Sequence, residues 1–361
     1  MTLRALLPTA AIGLIALNAS ALKLRAAETP KPALLVLSKA DHTLAIVDPQ
    51  TLKVVARMPS GPDPHEVIAS EDGKTAYISN YGGGAYNTLT VADLVEQKTT
   101  GSIDLGALRG PHGLAAVGGK IWFTAEGAKA VGRYDPATHK IDWILGTGQD
   151  RTHMIFVFPD LARLITTNVS SATVTIAERK PARAPGPPPG MPPGAAPPPM
   201  PRANPREPRP TPQPNWEETV IGVGKGAEGF DVSPDRSQIW TANAQDGTIS
   251  IIDIASQKVV QTVDADVKGA NRLKFTPDGK LVFVSSLNGS DVTILDAHTH
   301  EVGKRVSVGH GAAGIEMQPD GSRVFVACTP DNYVAVIDLK SLEITGHLDA
   351  GGGPDGMAWV K

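Results

Sequence analysis

Short runs of alternating apolar and polar residues fill most of the chain from Ala33 onward, and turns containing Gly, Pro or Asp separate them. A period of two with many β-branched and aromatic residues predicts β-strands. One set of predicted strands comprises Thr75–Asn80, Gln238–Asn243, Leu281–Ser286 and Arg323–Cys328. A second set shares a terminal Asp, a residue that caps turns, and comprises Thr43–Asp48, Thr88–Asp93, Thr248–Asp253, Asp291–Asp296 and Tyr333–Asp338.

A glycine- or proline-containing turn precedes each group of strands, and the last residue of each turn serves as a register mark. The seven marks are His65, His112, His153, Glu228, Asn271, Ala313 and Asp355. Their spacings are 47, 41, 75, 43, 42 and 42 residues. All but one spacing match the length of a four-stranded propeller blade, about 40–45 residues. The sequence therefore predicts an all-β fold, a seven-bladed β-propeller over residues 33–361.

The single long spacing contains a proline-rich segment, residues 180–215, and removing that segment restores the period. Its sixteen prolines remove backbone donors and favour extended polyproline II. We therefore predict a disordered insertion within the fourth blade. It is basic, which suits contact with an anionic cell-envelope surface, and an insertion without any partner is the alternative.

The two ends of the repeat are incomplete in complementary ways. The repeat starts at a second strand, residues 34–39, with no first strand before it, and Asp355 is followed only by a first strand, residues 356–361. Pairing the two would complete one blade and leave no free sheet edge. The sequence thus predicts a ring closed by its N- and C-terminal strands.

The first residues differ from the rest. Arg4 precedes an apolar run over residues 5–17, followed by Ala19-Ser20-Ala21. This pattern predicts a signal peptide over residues 1–21, with cleavage as late as Ala27 as a second option, and a periplasmic or secreted protein. The apolar run is too short to span a bilayer, so we expect no transmembrane segment.

Composition narrows the classes of function. The chain has 34 basic and 37 acidic residues and no basic stripe interleaved with aromatics, which argues against a nucleic-acid partner. Its single cysteine, Cys328, cannot form an intramolecular disulfide. No nucleophile elbow, HExxH, P-loop or CxxCH motif occurs, which disfavours nucleophilic catalysis and covalently attached haem.

Tyr77-Ile78-Ser79-Asn80, Trp240-Thr241-Ala242-Asn243, the Pro-Asp-Gly turns and the third strands ending in Asp resemble the YVTN-repeat, or YncE-like, propellers. The resemblance covers the repeat apart from the insertion, and it implies a fold more than a function. One blade, with Ile121-Trp122-Phe123-Thr124-Ala125-Glu126, is similar to a blade of the streptogramin lyases.

The register marks are rich in metal-ligand and acid–base side chains. Equivalent positions of a ring converge on its axis, so we expect His65, His112, His153 and Glu228 to meet at the top of the channel. Glu66, Arg272 and Asp355 are additional candidates. Such a set could hold a divalent metal ion such as Zn²⁺ or Cu²⁺, or supply a general base. The alternative is structural: each histidine would bond the backbone of a neighbouring blade.

Three functions remain open at this point. The first is an exported scaffold that binds a small molecule or a protein at its top face, and the second is a metal-dependent lyase or lactonase with an active site at the channel mouth. The third is an accessory role in periplasmic quinoprotein electron transfer, for which no residue gives direct support. The fold alone does not choose among them.

Limited proteolysis tests the insertion. We expect trypsin to cut first between residues 180 and 215, because this segment carries several Arg–Xaa bonds without the predicted strands that protect the rest. Mass spectrometry of the early fragments locates the cuts. A segment that survives while strands are cleaved would show that it packs against the ring.

Overall fold

The computed structural model of the protein describes residues 28–181 and 215–361, which form seven four-stranded antiparallel sheets. The sheets are the blades of a propeller, so the predicted fold is confirmed. The predicted signal peptide, with both of its cleavage options, and the proline-rich residues 182–214 lie outside the described residues. Within the described ranges, no helix has the length and hydrophobicity needed to cross a membrane.

The first blade combines both ends of the chain, and each later blade is a contiguous meander. The first two blades contain β1 (Ala33–Ser38), β2 (Thr43–Asp48), β3 (Lys53–Pro59) and β28 (Pro354–Val360), then β4 (Pro64–Ala69), β5 (Thr75–Asn80), β6 (Thr88–Asp93) and β7 (Lys98–Asp104). The third and fourth contain β8 (Pro111–Val117), β9 (Lys120–Ala125), β10 (Ala130–Asp135) and β11 (Lys140–Gly146), then β12 (Thr152–Val157), β13 (Arg163–Asn168), β14 (Thr173–Lys180) and β15 (Asn215–Gly222).

The remaining three blades repeat the same order. They contain β16 (Ala227–Val232), β17 (Gln238–Asn243), β18 (Thr248–Asp253) and β19 (Lys258–Asp264), then β20 (Ala270–Phe275), β21 (Leu281–Ser286), β22 (Asp291–Asp296) and β23 (Val302–Ser307), and finally β24 (Ala312–Met317), β25 (Arg323–Cys328), β26 (Tyr333–Asp338) and β27 (Glu343–Leu348). Two short 3-10 turns, Gly82–Gly84 and Glu126–Ala128, follow second strands.

The asparagines at the ends of second strands are structural. The Asn80 side chain donates to the hydroxyls of Thr88 and Thr90, 2.9 Å away in both cases, and Asn168 and Asn243 make the equivalent pairs of bonds in their own blades. Each asparagine thus ties the second strand to the third.

The predicted closure is confirmed. Strand β28 pairs antiparallel with β1, and the first sheet has the order β28-β1-β2-β3. Every residue of β28 is buried, and Trp359 contacts Phe325 of the preceding blade with ring centroids 5.7 Å apart. Apolar side chains packed between adjacent blades form the core.

Two backbone features bring the inner strands close to the axis. A Cβ atom on Gly113 would lie 2.7 Å from the carbonyl oxygen of His153, so only glycine allows β8 to pack this tightly against β12. In addition, all seven inner strands lose register with their second strands at the same place, for example between Pro64 and Val67. The two unpaired residues at each irregularity include the register mark, and such bulges re-aim side chains.

Truncation tests the closure. Deleting residues 353–361 should abolish cooperative unfolding, because it removes a buried strand and exposes the edge of β1. The milder Trp359→Ala substitution should cost about 3–5 kcal/mol of unfolding free energy, measured by denaturant titration.

Val260→Ala is the matched control, because Val260 is 56 % exposed on an outer strand. It should change the stability by less than about 0.5 kcal/mol. A truncated protein that melts like the full chain would contradict closure by these strands.

Candidate functional site at the upper channel mouth

The seven register marks line a single cavity of about 450 Å³ at the end of the channel where the blades connect. The set of marks is His65, His112, His153, Glu228, Asn271, Ala313 and Asp355. Lys39, Tyr81 and Arg151 enter the same cavity from neighbouring positions in the first, second and fourth blades. The repeat therefore does bring these side chains together, although they are separated widely in sequence.

His153 lies between two carboxylates. Its Nδ1 bonds Glu126, its Nε2 lies 3.0 Å from Oε1 of Glu228 without hydrogen-bond alignment, and the ring is 2 % exposed. Burial opposes the charged form of His153, but Glu228 and Glu126 outweigh burial and raise its pKa. His153 is therefore an imidazolium over a wider pH range than a free histidine.

The two carboxylates share further partners. Tyr81 donates its hydroxyl to Oε2 of Glu126 at 2.5 Å, and the Arg151 guanidinium lies 3.5 Å from Glu126 and 3.8 Å from Glu228. Burial favours the neutral acids, but His153 and these partners hold the pKa of Glu126 below its usual range and that of Glu228 at about 2. Both side chains are therefore anionic at neutral pH.

His112 stands beside His153 and stays neutral. Their ring centroids are 3.8 Å apart, and the Tyr81 ring packs edge-on against His112 with centroids 5.2 Å apart. Burial, followed by the positive field of His153, lowers the His112 pKa well below its usual value. Nδ1 of His112 is buried and has no hydrogen-bond partner among the described residues. A neutral imidazole with an unused nitrogen is the form that binds metals.

His65 is the third histidine of the mouth. Its ring centroid is 5.1 Å from that of His112, and its Nε2 lies 2.9 Å from the Lys39 ammonium. Burial and then Lys39 lower its pKa, so Nε2 accepts from the ammonium. Lys39 also lies 3.4 Å from Asp355. Nδ1 of His65 lies 3.5 Å from the carbonyl oxygen of Asp63, in the turn that precedes β4, and this is the one polar backbone contact of the three histidine rings within the described residues.

Glu66 and Arg272 form an ion pair across the channel, immediately below the mouth. They come from the second and sixth blades, and both are almost fully buried. Arg272 also donates to the carbonyl and side-chain oxygens of Asn271, at 3.1 and 3.2 Å. The pair therefore forms the floor of the cavity.

One carboxylate and two histidines lie close enough together to coordinate a single metal ion. Atoms of His112, Glu126 and His153 lie within 4.8 Å of one another, and all three residues are buried. This set differs from the predicted His65, His112, His153 and Glu228, because it includes Glu126, which the register marks do not contain, and leaves out His65 and Glu228. The available signal was the single acidic residue directly after a second strand, where the neighbouring blade has Tyr81.

The fold and its channel define the class as a seven-bladed β-propeller. Residues 212–319 match the family model of the YNCE-like beta-propeller, which confirms the expected resemblance to YncE-like propellers. A comparison with curated proteins finds no match.

Solved structures with this fold include proteins of different kinds. A functionally unknown protein from Desulfotomaculum acetoxidans superposes with a TM-score of 0.69 and 12 % identity, covering 91 % of this chain and 98 % of that one. A 6-phosphogluconolactonase-like protein from Bacteroides uniformis gives 0.66 and 15 %, covering 91 % and 99 %. Hydrazine synthase from Kuenenia stuttgartiensis gives 0.61 and 17 %, covering 82 % and 89 %. At these identities the likeness establishes the fold only.

The carboxylate cluster predicts a specific acid response. Since the Glu228 pKa is about 2 in the folded protein and 4.5 in a free side chain, its stabilisation is complete above pH 4.5 and is lost as the pH falls toward 2. This amounts to about 3 kcal/mol. The unfolding free energy of Glu228→Gln should therefore fall less steeply over that range than that of the wild type.

The exposed residue Glu217 supplies the control. Glu217→Gln should follow the wild-type curve in denaturant titrations at each pH. A Glu228→Gln curve parallel to that of the wild type would contradict the ion pairing described for His153.

Proposed function

We propose that the protein is a ligand-binding propeller that holds a divalent transition-metal ion at its upper channel mouth, with His112, His153 and Glu126 as ligands. Two observations carry the proposal: Nδ1 of His112 is buried without a partner among the described residues, and one ligand atom from each of His112, Glu126 and His153 lies within 4.8 Å of the other two. Buried polar atoms normally have a partner, and leaving one unpaired costs about 1–3 kcal/mol. Two imidazoles and a carboxylate form a ligand set used for zinc, with a fourth position left open.

The charge balance of the mouth supports a cation. Five carboxylates lie in or beside it, namely Asp63, Glu66, Glu126, Glu228 and Asp355, against the three fixed cations Lys39, Arg151 and Arg272. Neutral histidines therefore leave an excess of two negative charges. In the metal-free protein the His153 proton offsets one of them, and a divalent ion that replaces this proton offsets both.

The free coordination position of the metal ion and the cavity beside it indicate what the site could bind. Ala313 of the seventh blade is the one register mark with a small apolar side chain, and Lys39 and Arg151 line the same cavity. A small anionic molecule could there contact the metal ion and the two cations together. We place this activity outside the cytoplasm, as a periplasmic or secreted scaffold, on the strength of the N-terminal sequence pattern. The basic proline-rich segment would provide contact with the envelope.

A metal-dependent lactonase or lyase is the second candidate. It is favoured because Tyr81 and Arg151 lie beside the proposed metal ligand Glu126. Arg151 could polarise a substrate held in the cavity, and Tyr81 could protonate it. Hydrolysis of simple lactones by metal-loaded protein, absent in the metal-free form, would establish it. Binding of metal without turnover would favour the ligand-binding function over the enzyme.

Metal analysis tests the proposal directly. Protein incubated with Zn²⁺ and desalted should retain one ion per chain, measured by mass spectrometry, and the midpoint of thermal unfolding should rise with zinc concentration. His112→Ala should lose the ion, and Glu126→Gln, which preserves size, should weaken binding by at least about tenfold. Binding should release protons and tighten as the pH rises, because His153 must lose its proton.

His310→Ala is the matched control, because this histidine is exposed and pairs only with Asp331 among the described residues. It should bind zinc like the wild type. Wild-type protein that retains no metal, or a folded His112→Ala variant that retains it fully, would overturn the proposal.

A further inference from the structure

A second cavity, of about 470 Å³, opens at the opposite end of the channel. It is lined by the later residues of the inner strands and by the hairpin residues Pro277 and Pro319. Arg272 is the one residue that lines both this lower cavity and the upper mouth. The Glu66–Arg272 pair therefore separates two chambers that belong to the same channel.

The lower cavity is polar on one side and apolar on the other. Three residues after their register marks, the fifth, sixth and seventh blades carry Asp231, Lys274 and Glu316. The same position is apolar in the other four blades, which carry Ile68, Ala115, Phe156 and Ala358. Adjacent blades thus form a continuous polar arc that faces an apolar wall.

The apolar wall offers flexible and aromatic surface. It includes Met154 and Phe156 of the fourth blade and Met357 and Trp359 of the first, while Phe230 and Met317 add apolar surface beside the polar arc. Methionine and aromatic side chains adapt to ligands of irregular shape. A hydrocarbon chain or ring would find its contacts on this wall.

Two charged side chains of the polar arc have no partner among the described residues. Lys274 makes no ion pair or hydrogen bond with any described residue, and neither does Glu316. Asp231 instead spends its oxygens on backbone N–H groups, accepting from Val232 at 2.9 Å and from Phe275 at 3.0 Å. Glu66 is engaged by Arg272. Within the polar arc, the charged side chains without a partner among the described residues are therefore Lys274 and Glu316.

We propose that the lower cavity binds a small monocarboxylic acid with an apolar body, whose carboxylate pairs with Lys274 and accepts a hydrogen bond from Glu316 while its hydrocarbon part contacts the methionine and aromatic wall. This site is distinct from the metal site above the Glu66–Arg272 pair, and it stands whether or not metal binds there. Lys274 keeps its charge, because Asp231 is its strongest electrostatic neighbour and raises its pKa.

The proposal implies a pH dependence near neutrality. Burial raises the pKa of Glu316 to about 7; Lys274 opposes the rise, and Asp231 and Glu66 add to it. Lys361, which also lines the cavity, lowers the Glu316 pKa as Lys274 does, and Arg272 is a further charged residue of the lining. Below pH 7 Glu316 is a neutral donor, and above it a carboxylate that repels the ligand. Affinity for a carboxylate should therefore fall as the pH rises.

Calorimetric titration with octanoate tests the site in the full-length protein. We expect octanoate to bind at pH 6 and to bind about tenfold more weakly at pH 8. Lys274→Met should weaken binding at pH 6 by about tenfold or more, because it removes the charge and keeps the length. Glu316→Gln should bind octanoate with equal affinity at both values of pH, since an amide donates at either.

Ligands with other head groups test whether the carboxylate is recognised, and a variant of the upper site tests whether octanoate binds in the lower cavity. Octylammonium and octanol should bind at least about tenfold more weakly than octanoate, and His112→Ala should bind octanoate like the wild type. Equal binding of octanol would show that the cavity recognises only the apolar body, and tighter binding of octylammonium would reverse the assigned charge. Either result, or no binding of octanoate at pH 6, would overturn the proposal. Retained octanoate binding in a protein that takes up no zinc would refute the metal site alone.

Discussion

Hydrogen bonding between β28 and β1 joins the two ends of the chain, and the geometry of the whole channel depends on it. A propeller blade packs against both neighbours, so a missing inner strand would leave a gap on the axis and an exposed edge. The same closure assembles part of the upper mouth, because Lys39 follows β1 whereas Asp355 lies in β28, and the two side chains lie 3.4 Å apart. Stability and site formation therefore rest on one pairing.

Within the closed ring, the irregular first turn of each inner strand organises the channel into layers. The unpaired residues at each bulge supply the upper ring of titratable side chains and, one residue further on, Glu66 and Arg272. An isolated buried charge would be costly, but these two meet across the axis and neutralise each other. Below them the polar arc of Asp231, Lys274 and Glu316 faces apolar blades. One strand geometry thus produces two chambers of different chemistry.

Three histidines at equivalent positions acquire different protonation behaviour from their surroundings. His65 accepts from Lys39 and His112 is buried without a partner, so burial keeps both neutral. His153 is equally buried, yet two carboxylates raise its pKa. A neutral imidazole beside an imidazolium and two carboxylates forms a site in which a metal ion would compete with a proton. Equivalent positions of the ring therefore differ in protonation because different charged groups surround them.

The repeat pattern alone predicted the seven blades, the bounds of nine second and third strands, the closure and the meeting of the register marks on the axis. Repetition explains this success, because equivalent positions of a closed ring must converge. Small differences occur in the closing strands: β1 begins at Ala33 rather than residue 34 and β28 at Pro354 rather than residue 356, because their pairing runs from Ala33 with Val360 to Ser38 with Pro354. The folded structure was needed to show that Glu126 joins His112 and His153, that Glu66 meets Arg272, and that the channel is divided. These contacts depend on loop conformation and on side chains that reach across blades, and neither follows a period along the chain.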